Sequence, residues 1–128
     1  MKIGIIGLGA VGTANKEGFE HLGHTVVPHD INLDTSIQDV SDTEITFLCV
    51  PTPQDNDGSC DTSILESVIK ELNLYSYKGI IAIRSTVVPG FTQRMIDTHR
   101  NLTICFVPEF LRERCAAEDF INNHKLLA

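Results

Sequence analysis

The stretch Lys2 to Gly12, KIGIIGLGAVG, runs an aliphatic segment straight into three glycines spaced G-x-G-x-x-G. The aliphatic part reads as a buried strand, and Val11 to Leu22 reads as a helix stopped by Gly23. A strand, a tight turn and a helix in that order leave few architectures open. Gly7 permits the turn, Gly9 lets a diphosphate approach the backbone, and Gly12 lets helix and sheet pack closely. The start of the helix then presents unpaired N–H groups and the positive end of its dipole to an anion.

Beyond this opening, short aliphatic runs alternate with helix-compatible stretches, the rhythm of a parallel sheet flanked by helices. Strands are predicted at Lys2 to Ile6, Thr25 to His29, Ile45 to Val50, Gly79 to Arg84 and Leu102 to Val107, with a sixth beginning at His124 and running to Ala128. A helix is predicted from Thr62 to Asn73, capped by Asp61, with Ser63 and Glu66 at capping-box spacing as an alternative start. A short helix follows Pro89-Gly90. Pro28 lies inside the second strand, where a missing N–H is tolerated only at an edge or a bulge. The segment from Ile31 to Glu44 has room for one crossover, so the second strand is expected at the sheet's edge. At 128 residues and 42% apolar content, with no repeat or low-complexity tract, the chain suits one core. The expected fold is therefore a single α/β domain over residues 1–128, Rossmann-like and doubly wound, with a mainly parallel sheet of about six strands.

Asp30 stands at the end of the second predicted strand, about 20 residues beyond the glycines, where a carboxylate can accept both hydroxyls of a ribose. The same charge repels a 2′-phosphate, which points to NAD over NADP. Three other unusual sequences follow the third, fourth and fifth predicted strands: Pro51-Thr52-Pro53, Ser85-Thr86 and Pro108-Glu109-Phe110. That edge of an open parallel sheet is where ligands bind, although each sequence alone reads equally well as an ordinary turn.

Several function classes are disfavoured. The net charge of −7 and the pI near 5.0, with ten scattered Lys and Arg, would repel a nucleic acid. The local pair Arg112 and Arg114 is offset by Glu109, Glu113, Glu118 and Asp119. The first strand begins almost at Met1, so no secretory leader is expected, and no run has the length of a membrane span. Cys49, Cys60, Cys105 and Cys115 show no C-x-x-C spacing, and two of them lie in strand-like runs, which suits reduced thiols and a cytoplasmic setting. The five histidines are dispersed, and His21 with His24 lacks further ligands, so no metal is expected.

Four segments carry a resemblance over nearly the whole chain: the opening KIGIIGLGAVG, CVPTP at Cys49 to Pro53, RSTVVPGFT at Arg84 to Thr92, and VPEFLRERCAAEDF at Val107 to Phe120. In content and order they resemble the UDP-glucose/GDP-mannose 6-dehydrogenases, and the last two are much more specific than the glycine pattern. The resemblance implies the amino-terminal NAD-binding domain of such an enzyme. It places Gly7, Leu8, Gly9, Ala10, Val11 and Gly12 at the pyrophosphate, and Asp30 with Ile31 at the adenosine ribose. Val50, Pro51, Thr52, Ser85 and Thr86 also count as cofactor-binding, with Thr52 and Thr86 nearer the nicotinamide end. Glu109, Phe110, Leu111, Arg112 and Glu113 would line a sugar-nucleotide pocket, Phe110 and Leu111 through their backbone. Thr86, Glu109 and Glu113 are the implied catalytic residues: Thr86 helps to place a water, and Glu113 acts as general base or orients that water. The competing reading of Glu113 is a helix-surface charge paired with Arg112 or Arg114.

The family's complete reaction oxidises a sugar primary alcohol to a carboxylate, using two NAD and a cysteine that holds the intermediate covalently. That cysteine belongs to a later G-x-C-x-x-K-D-like motif, and none of the four cysteines has this setting. The family's helical dimerisation segment and second nucleotide-binding domain are likewise absent from these 128 residues, so the chain is not expected to complete the oxidation alone. The segment after Asp30 is shorter than the family's, without its Glu-Pro-Gly-Leu-like stretch or a following lysine, which implies a less enclosed adenosine half. Two other readings stay open. One is a catalytically silent NAD-binding module that needs a partner chain or pairs with itself. The other is a β-hydroxyacid dehydrogenase relative, which shares the glycine turn but has no PEFLRE segment.

Overall fold

The aliphatic runs of the sequence become parallel strands because both of their faces are buried. The computed structural model describes residues 1–30, 34–52, 61–85, 87 and 90–107. Within these, β1 (Lys2–Ile6), β2 (Thr25–His29), β3 (Ile45–Leu48), β4 (Ile80–Ile83) and β5 (Thr103–Phe106) form one parallel sheet in the order β2-β1-β3-β4-β5. The helices are α1 (Ala10–His21), α2 (Ser63–Leu74) and α3 (Phe91–Thr98), and a 3-10 turn, Ile37–Val40, lies between β2 and β3. The sixth strand expected from His124 lies outside the described residues.

Period-two alternation sorts side chains to the two faces of the sheet. Ile6, Leu48, Ile81, Ile83 and Ile104 pack with α2, α3 and the 3-10 turn in one core cluster. Ile3, Ile5, Phe47 and Ala82 pack with Phe19 of α1 in the other, where Phe19 and Phe47 stack at 4.9 Å. Helices on both faces make the architecture doubly wound, the Rossmann-like α/β fold that the sequence predicts. Leu65, Val68, Ile69 and Leu72 form the buried stripe of α2 at the spacing a one-sided helix requires. The start of α2 follows the Asp61 reading: the Asp61 carboxylate accepts the Ser63 amide at 2.9 Å, while Glu66 instead accepts the Thr62 hydroxyl at 2.7 Å.

Among the described strands β2 is at one edge, as Pro28 requires, paired only with β1 and with Pro28 in register with Ile5. The single 3-10 turn is the whole ordered content of the described part of the crossover to β3. Because β1 sits between β2 and β3, the chain leaves β1 to one side and later returns on the other. The carboxyl ends of β1, β2 and β3 therefore diverge around a crevice.

At the opposite end of the sheet three buried hydroxyls close on one another. Tyr77 lies 3.0 Å from Thr43 Oγ1 and accepts the Thr46 hydroxyl at 2.9 Å, and Thr43 donates to the Val40 carbonyl at 2.7 Å. Burial pushes the Tyr77 phenol above its ordinary pKa of 10.0, against the opposing pull of the two threonine hydroxyls. With the folded-state value raised, the associated stability is complete below pH 10 and is lost as pH climbs through that value. Replacing Tyr77 by Phe strands Thr43 and Thr46, and is expected to cost about 1 to 3 kcal/mol in urea unfolding at neutral pH. The variant's stability is also expected to fall less steeply than the wild type's above about pH 10.

Candidate functional site

The glycine turn is built by the ends of three strands at once. Gly7 has φ +95, a left-handed backbone that favours glycine, and its amide donates to the His29 carbonyl at the end of β2 at 2.8 Å. A Cβ on Gly7 would meet the Cys49 carbonyl oxygen, just beyond β3, at 2.7 Å. Gly12 is tighter still, since a Cβ there would lie 1.7 Å from the Gly7 carbonyl oxygen. Helix α1 can rise directly from the turn only because position 12 carries no side chain.

Around Gly9 the situation reverses. It is exposed, and a Cβ there would meet no protein atom within 4 Å. Gly9 is also the N-cap of α1, where no side chain caps the helix and no acidic residue lies in the first turn. The amides of that first turn are thus left for an external acceptor. One polar partner fixes the turn from the side: the Leu8 amide donates to Asp30 Oδ2 at 2.6 Å. Asp30, half-buried at the end of β2, holds the bend and faces the crevice together.

The crevice has a volume of about 570 Å³, within the range of ligand pockets. It is lined by Ile6 and Gly7, by His29, Asp30 and Thr35, with His29 Nδ1 hydrogen-bonded to Thr35 Oγ1 at 2.7 Å, by Val50 and Pro51 beyond β3, and by a wall of Ser63, Ile64, Ser67 and Val68 from the start of α2. One carboxylate, one imidazole and three hydroxyls thus share the lining with aliphatic side chains, beside a helix start with no side-chain cap.

Of the residues singled out from sequence, the crevice gathers Gly7, Asp30, Val50 and Pro51. Leu8, Gly9, Val11 and Gly12 form the adjoining turn, and the side chain of Ala10 is not among those described. Thr52 follows Pro51 and is half-buried, outside the crevice lining. Ser85 is buried behind β3, donating its hydroxyl to the Val50 carbonyl at 2.6 Å. Ile31, Thr86, Glu109, Phe110, Leu111, Arg112 and Glu113 lie outside the described residues.

Sequence reasoning did not pick out His29, Thr35 or the α2 wall. A signal for the wall exists in retrospect: Ser63 and Ser67, and Ile64 and Val68, are two i, i+4 pairs that share the start of one helix. No group of three or more His, Cys, Asp or Glu suited to a metal ion occurs among the described residues, and no described helix is long and apolar enough to cross a membrane.

The residues present fit a dinucleotide. Space at Gly9, a helix start with no side-chain cap and a carboxylate lining the crevice are features that a diphosphate and its sugar demand. Comparison with known proteins agrees. The family model of the UDP-glucose/GDP-mannose dehydrogenase family, NAD binding domain, matches residues 32–128, the part of the chain that follows the glycine turn and Asp30. A UDP-glucose 6-dehydrogenase of Haloferax volcanii is 29% identical, covering 99% of this chain and 40% of its own length. An uncharacterised protein of Methanocaldococcus jannaschii is 35% identical over 88% of the chain and 13% of its own length. The solved UDP-glucose dehydrogenase of Pyrobaculum islandicum superposes with a TM-score of 0.80 at 27% identity, covering 93% of this chain and 38% of that one. The chain thus spans two-fifths or less of the proteins it matches here.

Proposed function

The chain belongs to the UDP-glucose/GDP-mannose dehydrogenase family, matching its NAD-binding domain, and on that premise we propose that residues 1–128 are the cofactor-holding unit of a nucleotide-sugar 6-dehydrogenase. The observation that carries the reading is the Asp30 carboxylate, hydrogen-bonded to the Leu8 amide at 2.6 Å and lining a crevice at the divergence of β1, β2 and β3.

In this reading the diphosphate lies over Gly9 against the amides of Ala10, Val11 and Gly12, where the dipole of α1 stabilises negative charge. Asp30 accepts the adenosine ribose hydroxyls, with Ile31 beside it. Val50 and Pro51 give the cofactor an apolar surface that excludes water, and Thr52, Ser85 and Thr86 follow it toward the nicotinamide end. Bound there, NAD supplies the hydride acceptor. Glu109, Phe110, Leu111, Arg112 and Glu113 complete the proposal as the nucleotide-sugar side, with Glu113 taking a proton or orienting the water that Thr86 helps to place. A cytoplasmic setting is part of the same reading.

Turnover requires more than a bound cofactor. No cysteine of the chain stands in the motif of the family nucleophile. Cys105 in β5 is half-buried, and burial pushes its thiol pKa up, away from the thiolate that attacks carbonyl carbon. The 128-residue chain, mixed with NAD and either UDP-glucose or GDP-mannose, is expected to produce no NADH by absorbance. Steady NADH production from either sugar nucleotide would show that these residues form a complete catalytic unit.

A further inference from the structure

Helix α2 has a second face. Leu65, Val68, Ile69 and Leu72 bury its inner stripe in the core. On the outside Ser67, Lys70, Leu74 and Tyr75 are exposed and Glu71 is half-buried. Leu74, at 73%, is the most exposed large apolar side chain among the described residues. These five outer residues line a shallow groove of about 330 Å³ along the helix.

A lone exposed leucine is ordinary protein surface. What sets this one apart is the charge pattern around it. Seven residues make nearly two turns, so Ser67 and Leu74 fall on one line along the helix, with Lys70 on one flank of that line and Glu71 on the other. Neither charge joins an ion pair among the described residues. Two copies of α2 packed face to face and parallel, about a two-fold axis running along them, bring opposite flanks together. Lys70 of each copy then meets Glu71 of the other, twice over. Leu74 covers Leu74 across the axis, and Ser67 faces Ser67, where a small side chain lets the helices approach. An antiparallel pairing instead sets Lys70 against Lys70 and Glu71 against Glu71, which like-charge repulsion disfavours.

We propose that the outer face of α2 is a self-association surface, on which a second copy of this chain docks with its own α2 parallel, Leu74 on the axis and a Lys70–Glu71 pair on each flank. Five groove residues from each copy are well short of the roughly 20 to 30 of a standard interface, so the dimer is weak and forms as concentration rises. The inference does not depend on which ligand the crevice takes.

Sedimentation equilibrium of the 128-residue chain from about 10 µM to about 1 mM tests this. The weight-average mass is expected to climb from the 14.1 kDa of one copy toward that of two. The mass of one copy at every concentration would overturn the inference. Lys70→Glu and Glu71→Lys each place like charges on both flanks, and each alone is expected to weaken the dimer by about tenfold or more. Mixed in equal amounts, the two variants restore opposite charges on both flanks, so the mixture is expected to associate where neither variant does alone. Leu74→Ser is expected to weaken the dimer with no change of charge. All three variants are checked by circular dichroism to be folded. A dimer that they leave unchanged, or a mixture of the two charge variants that stays monomeric, would place the contact elsewhere and overturn the assignment of α2.

Discussion

Gly12→Ala is expected to cost about 3 kcal/mol or more of folding stability and to abolish NADH binding, because no rotamer change can relieve a clash between two backbones. The added Cβ would lie 1.7 Å from the Gly7 carbonyl oxygen and 2.8 Å from its carbon. Either α1 tilts away from β1 or the turn opens, and both displace the amides that meet the diphosphate. Urea unfolding at constant m-value measures the first effect and calorimetry with NADH the second. Gly9→Ala is the informative control. Its Cβ meets no protein atom within 4 Å, so folding should lose only the roughly 1 kcal/mol that separates alanine from glycine at a helix N-cap. NADH affinity should nevertheless fall, since the methyl occupies space the diphosphate needs. A Gly9→Ala chain that binds NADH normally would show that this surface faces no ligand.

Asp30→Ala is expected to weaken NADH by about 10- to 100-fold, the scale of a hydrogen bond to a charged acceptor. Part of that loss comes from freeing the Leu8 amide, whose bond at 2.6 Å holds the turn. Asp30→Asn separates the two contributions, because an amide oxygen still accepts from Leu8 while the charge is gone. Asn should fold like the wild type, bind NADH more weakly, and discriminate less against NADPH than the carboxylate does. Wild-type affinity in Asp30→Ala would detach this residue from the cofactor.

How legible the site was in the sequence follows from which constraints are local. The glycine spacing has a geometric cause at each position, so strand, turn and helix could be placed before any tertiary contact was known. Pro28 gave away the sheet edge for the same kind of reason: a residue without an N–H restricts where its strand can lie. Strand ends were less readable. The apolar run from Ile45 to Val50 predicts six strand residues, yet β3 stops at Leu48. Cys49 and Val50 go on burying surface while leaving the ladder, Cys49 to pack against the glycine turn and Val50 to accept the Ser85 hydroxyl. Hydrophobic run length reports burial, not pairing.

The α2 wall was illegible for a related reason. Ile64 sits among apolar residues at helical spacing and reads as core, and only knowing which face the sheet covers shows it left half outside. The His29 to Thr35 bond joins residues six apart across a crossover with no periodicity, and no local rule brings them together. The alignment with the Haloferax relative runs over 173 positions against 128 residues here, so that relative holds additional residues within the matched stretch.

Side-by-side calorimetric titration of the unmodified chain with NADH and NADPH is the most direct test of whether the glycine bend and Asp30 together hold a dinucleotide. The account predicts NADH tighter by at least about tenfold, since a 2′-phosphate would have to approach a carboxylate already fixed in place. Equal affinity for the two, or tighter binding of NADPH, would contradict it.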